Sequence, residues 1–268
     1  VEYMVRPGKS FYAGFITMYM NNLNEFLKIK DYVIEIQGKQ ANGDWVTAKT
    51  VTVNDTEPAP PETIYLRTAR QFHALSRYYP VYAAATSKST FLQELNLDYT
   101  TYQWDAYAGF SKPDWQAPVN GENGFVAEYN GSGHEISGIS IRSSDSTIGL
   151  FGHVADTARI QNLFLVARQG ETVSYINGAG GNAASGGRTH MGALAGYVTG
   201  TIRNCAVSGY RMTYYGYRSN VLSLGGLVGT NYGSIRNCTA ESPSIQTANT
   251  NSTAYVGGLV GTNRASVT

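Results

Sequence analysis

Tyr210, Tyr214, Tyr215 and Tyr217 crowd one short segment together with Arg211 and Arg218, and Tyr175 and Tyr197 stand on its N-terminal side. Tyr rings give rigid, amphipathic contact area at low entropic cost, which suits recognition surfaces. The C–H faces and hydroxyls of sugars fit Tyr and Arg together. In an alternating strand these side chains cannot all point inward, so several are expected at the surface. The six residues are therefore the candidate ligand-binding set. The competing reading is that Tyr pads strand surfaces, where its β-propensity is high.

Other chemistry has weaker support. Cleaving a polysaccharide needs clustered carboxylates with Arg, Lys or His along one groove. After Ile148 the acids are Asp156, Glu171 and Glu241, at unrelated offsets. Asp98, Asp105 and Asp114 remain as the source of a pair, but they read as solvated loop acids, so no catalytic residue is assigned. His73, His134, His153 and His190 show no HxH or HxxxH spacing. Stacking of the chain would be needed to bring His153 and His190 together, and two ligands do not make a site. No metal and no cofactor is expected. Gly178–Gly187 lacks the Lys-Ser/Thr of a phosphate loop and reads as a projecting loop.

The elements that position these residues repeat. Ile148-Gly-Leu-Phe-Gly152, Gly192-Ala-Leu-Ala-Gly196, Gly225-Gly-Leu-Val-Gly229 and Gly257-Gly-Leu-Val-Gly261 match, with final glycines 44, 33 and 32 residues apart. Each of the first three is followed by a second block: Arg159-Ile-Gln-Asn-Leu163, Thr201-Ile-Arg-Asn-Cys205 and Ser234-Ile-Arg-Asn-Cys238. No copy has helical periodicity, and Gly at this density would cost roughly 1 kcal/mol per position inside a helix. Short apolar runs broken by Gly, Asn, Ser and Thr suit short strands and tight corners. One such turn of chain cannot bury its own inner face, so copies must stack. Leu150, Leu194, Leu227 and Leu259 would form one inward column, and Ile160, Ile202, Ile235 and Val267 another. Asn162, Asn204 and Asn237 would share a corner, where amides tolerate left-handed geometry and bond between turns. Cys205 and Cys238 hold the place of Leu163 and read as buried, reduced residues in contact. Their Cα spacing would permit a disulfide, but parallel Cβ vectors would hinder its dihedral. The pattern predicts an all-β chain wound as a right-handed parallel β-helix.

The blocks Gly225-Gly-Leu-Val-Gly-Thr-Asn-Tyr-Gly-Ser-Ile-Arg-Asn-Cys238 and Gly257-Gly-Leu-Val-Gly-Thr-Asn263 resemble the GLUG repeat of bacterial surface proteins. That repeat occurs in adhesins and in accessory regions of immunoglobulin-A-cleaving peptidases. Upstream, residues 64–75 resemble the short helix that opens these solenoids, and residues 91–98 and 125–141 resemble the first turns. The resemblance covers residues 64–268. Most proteins of this kind belong to gut and oral Bacteroidetes or Gram-positive commensals. It implies a secreted or cell-surface setting, attached to an outer membrane or cell wall, within a larger surface protein. The implied function is non-enzymatic adhesion to host or microbial glycans or surface proteins. A carbohydrate-active enzyme and a structural stalk are the alternatives.

Ahead of the helix lie a Pro-rich linker, residues 56–63, and a small β-domain or sandwich end, residues 1–55. Tyr32–Gln37 and Trp45–Val53 alternate as strands do, and Ala41-Asn-Gly-Asp44 is a hairpin turn. Thr68 is the expected N-cap of a helix over Ala69–Arg77 that covers the open end of the stack. Composition excludes several classes. A net charge of +1 argues against a nucleic-acid binder, no run nears the roughly 20 apolar residues of a membrane span, and two Cys cannot staple a scaffold. The start at Val1 without a signal peptide reads as a processed or trimmed piece. Charge divides the chain: from Ile148 onward eight Arg face three acids, a surplus of five, and twenty of the thirty Gly fall there.

Overall fold

A computed structural model describes residues 3–7, 32–39, 45–53, 63–69, 71–73, 75, 88–100, 124–143, 145–168, 170–176, 187–215, 221–241, 244–247 and 253–268. The chain divides into two compact units, Val1–Ile64 and Tyr65–Thr268. In the first, Tyr3–Pro7, Tyr32–Lys39 and Trp45–Val53 form an antiparallel sheet in chain order. The two alternating runs pair from Tyr32↔Val53 to Lys39↔Trp45, with a bulge beyond Ile36. Their turn, Ala41–Asp44, lies outside the described residues, as do Arg77, the linker's residues 56–62 and most of the Gly178–Gly187 loop.

Among its described residues the second unit is almost wholly β, and its sheets are parallel. Chain order runs through four sheets in rotation. Ile141–Ser143, Thr147–Ile148, Phe151–Val154 and Arg159–Val166 each lie in a different sheet, and Thr172–Ile176 returns to the first of them. From Ile141 onward each strand thus pairs with its counterpart one repeat away rather than with its sequence neighbour.

The register aligns the expected columns. Ile160 pairs with Ile202, Ile202 with Ile235, and Ile235 with Val267. The column extends upstream through Tyr129 and Phe91. Leu194 N–H donates to the Leu227 carbonyl at 3.0 Å, and Leu227 N–H to that of Leu259 at 3.0 Å. Leu150, Leu194 and Leu227 are fully buried. Each such side chain contributes about 1.5–3 kcal/mol on leaving water, which is what drives one repeat onto the next.

The corner residues also fall where the repeat puts them. Asn162, Asn204 and Asn237 have φ of 53°, 52° and 50°. Their side chains form a ladder: Asn162 Nδ2 donates to Asn130 Oδ1 at 3.0 Å, Asn204 to Asn162 at 3.1 Å, and Asn237 to Asn204 at 3.3 Å. A short helix holds Ala69, Gln71–His73 and Leu75. Thr68 Oγ1 accepts from Gln71 N–H and Gln71 Oε1 accepts from Thr68 N–H, both at 3.1 Å, a reciprocal cap. Its buried Phe72 packs edge-on against Tyr129 at 5.6 Å, so it covers the first rungs of the Ile column.

Two expectations need correction. Tyr210 and Tyr214 are buried, each 1% exposed, so neither stands at the surface. Alternation explains it: Tyr210, Met212 and Tyr214 share one face, and that face points to the core. Cys238 is only half-buried, although Cys205 is buried and both are free. Strand Thr239–Glu241, which follows Cys238, is itself largely exposed, so less chain covers this rung.

Candidate functional site

The glycine blocks make a sharp notch between two sheets. One sheet holds Arg188–Gly192, Val221–Gly225 and Thr253–Gly257; the next holds Ala195–Val198, Val228–Asn231 and Val260–Asn263. Only two residues separate each strand from its successor. A Cβ on Gly225 would lie 2.0 Å from the Val228 carbonyl oxygen, across the bend. A Cβ on Gly229 would lie 2.4 Å from Met191 N, on the strand one repeat earlier. Backbone therefore meets backbone, and only Gly leaves the room.

Outside the bend, the outward side chains of the two sheets meet each other. His190 Nδ1 lies 2.7 Å from Thr230 Oγ1, and Ser223 Oγ lies 2.8 Å from Thr262 Oγ1. The residue after the final glycine, His153 or Tyr197, points outward, and these two are in register. Their rings are 5.1 Å apart; Tyr197 also meets His190 at 5.2 Å and Tyr232 at 5.5 Å. Tyr232 is 45% exposed, while Tyr197, His153 and His190 are half-buried. His153 Nε2 sits 3.2 Å from Thr199 Oγ1. Burial, helped by Arg188, lowers the His190 pKa to about 4, so the ring is neutral at neutral pH. Burial, and then Tyr232, raises that of Tyr197. The result is a ladder of aromatic rings edged by hydroxyls. It offers flat faces and hydrogen-bonding groups, and no carboxylate belongs to it.

The residues singled out from sequence are distributed otherwise. Tyr210 is a core residue whose hydroxyl donates to the Ile139 carbonyl at 3.0 Å, and burial raises its pKa. Tyr214 is buried in the same row, Arg211 is exposed, and Tyr215 ends the strand Arg211–Tyr215. Tyr217 and Arg218 lie outside the described residues. So do Asp105 and Asp114, whereas Asp98 Oδ1 accepts from Thr100 N–H and its hydroxyl, as turn residues do. His153 and His190 do come together, around Tyr197. Among the described residues no three His, Cys, Asp or Glu side chains gather as a metal site would require. A separate open depression lies beside Arg67, Gln93, Glu94 and His134, where Arg67 and Glu94 form an ion pair. The ladder had a signal in the sequence: His153, Tyr197, Thr230 and Thr262 each directly follow a final glycine.

The family model for the GLUG motif matches residues 220–246. Comparison with curated proteins and with solved structures gives no match. The matched segment contains the Gly225–Gly229 bend and the Ser234–Arg236 strand, and its strands pair in register with counterparts on both sides. The chain thus carries a GLUG motif at residues 220–246, within a stack of similar copies.

Proposed function

We propose that the second unit is a right-handed parallel β-helix acting, without catalysis, as a recognition module of a secreted or cell-surface protein. The return of each strand to its own sheet one repeat later supports the winding, and parallel crossovers are right-handed in about 98% of cases. The ligand is a glycan or a glycan-bearing surface protein, of host or microbial origin. One observation carries this reading: the part-exposed ladder His153–Tyr197–Tyr232 with His190 beside it. Aromatic rings spaced along a sheet suit the C–H faces of successive sugars, and half-buried Thr199 supplies a hydroxyl. A cluster of aromatic rings left in water is costly unless a partner covers it.

The test is binding to a glycan and host-surface array. A Tyr197→Ala, Tyr232→Ala variant should keep its melting midpoint within a few degrees, because both rings lie on the outer face. It should lose binding tenfold or more, about 1.4 kcal/mol. Unchanged binding by that variant would move the site elsewhere. No binding by the parent would leave the stalk reading, and release of new sugar ends from a polysaccharide panel would favour an enzyme.

A further inference from the structure

Two arginines stand side by side on the outer face of the stack. Arg203 and Arg236 directly follow the buried Ile202 and Ile235, so alternation turns both outward, and both are exposed. The register pairs Arg203 with Arg236, as it pairs Gln161 with Arg203 one repeat earlier. The row does not end at Arg236. Thr268 N–H donates to the Ile235 carbonyl at 2.9 Å and Asn237 N–H to that of Thr268 at 2.8 Å, which sets Thr268 on its far side.

Each guanidinium is held at Nε by a neutral group. Gln161 Oε1 accepts from Arg203 Nε at 2.5 Å, and Ser234 Oγ accepts from Arg236 Nε at 3.2 Å. Gln161 turns its own amide N–H to Glu128, whose other oxygen lies 3.9 Å from Arg159. Glu128 is thus engaged, and among the described residues no carboxylate pairs with Arg203 or Arg236. Parallel strands lie about 4.8 Å apart, and like charges directly opposite each other are destabilising. From Ile148 onward eight Arg stand against three acids, so the surrounding field also favours an anion.

We propose that Arg203 and Arg236 form a binding row for the carboxylate or sulfate groups of an acidic glycan lying along the stack. This deepens the recognition reading above and rests on it. With Nε fixed, the two Nη atoms of each guanidinium remain for a ligand, and their planar fork matches two oxygens of one anionic group. The arginines sit on successive rungs, so a linear polymer running along the stack meets both. A bound anion offsets the repulsion that the bare row carries, whereas an uncharged sugar does not.

The experiment measures, by titration calorimetry on the full chain, affinities for polygalacturonate, dextran sulfate and dextran at low and at physiological salt. A charged polymer should bind at least about tenfold more tightly than dextran, and added salt should weaken that binding. Arg203→Gln with Arg236→Gln should lose about tenfold on the charged polymer. Arg142→Gln with Arg168→Gln removes the same charge from exposed positions elsewhere and should lose less than about threefold. Should the first variant melt early, Arg203→Lys with Arg236→Lys keeps the charge without the fork and should lose about threefold or more. No binding of either charged polymer, equal losses in the two Gln variants, or duplex DNA bound as tightly as the charged polymers would overturn the inference. The aromatic-ladder reading would then still stand on its array test, and absence of any binding on that array as well would overturn both.

Discussion

His190 shows how one side chain's surroundings become a property of the folded state. Its ring lies between Tyr197 and Thr230, with Arg188 close by. Burial first, and then that guanidinium, lower its pKa from 6.5 to about 4. Between those values the unfolded chain holds a proton at this position that the folded chain does not. Stability from this group is therefore complete above about pH 6.5 and is lost as pH falls toward 4. His190→Gln keeps an amide able to bond Thr230 but has nothing to titrate. Urea unfolding midpoints should fall less between pH 7 and pH 4.5 in that variant than in the parent. Parallel pH profiles for the two chains would refute the burial argument. At this scale the tyrosines were misleading in sequence. The density of Tyr210–Tyr217 suggested a surface, but alternation places Tyr210 and Tyr214 with Met212 in the core.

The bend between sheets is an element defined by what it lacks. A methyl on Gly229 would meet Met191 N at 2.4 Å and the Gly196 carbonyl oxygen at 2.5 Å, both of them backbone atoms. Gly258 belongs to an equivalent block, yet a Cβ there meets nothing within 4 Å. Gly229→Ala should therefore cost about 3 kcal/mol, at the upper end of overpacking, and Gly258→Ala should fall within about 0.5 kcal/mol of zero. Denaturant midpoints measure both, and equal effects would show that backbone approach is not what the block encodes. The sequence made the Leu and Ile columns and the Asn corner readable because each keeps a fixed offset within its repeat. His153 and Tyr197 kept an offset too, but its meaning was hidden. Contacts such as His190 with Tyr197 cross from one sheet to the next, and nothing in a linear pattern states how sharply two strands fold back. The unequal burial of Cys205 and Cys238 was equally illegible, since it depends on how much chain covers each rung.

For the second unit as a whole, cohesion passes between neighbouring repeats. Every parallel pairing in the four rotating sheets joins strands one repeat apart, and the Asn amides follow the same path. Such a stack has a stability close to the sum of its repeats and their interfaces. Residues 197–229 run from just after one final glycine through the next, a span of 33 residues in phase with the repeat. A chain carrying those residues twice in tandem should place one more rung in each sheet, since each new strand meets the partner its original met. Leu227 would again lie under a leucine, and Asn204 under an asparagine. The extra rung also buries more apolar surface, so the m value of this unit's unfolding transition should rise by about one-sixth, in proportion to added chain. Its midpoint should not fall, and circular dichroism should keep the same β signature per residue. A broadened transition, or a midpoint well below the parent's, would mean that the repeats depend on contacts beyond their nearest neighbours. Repeats held only by their neighbours would take the insertion as one more layer.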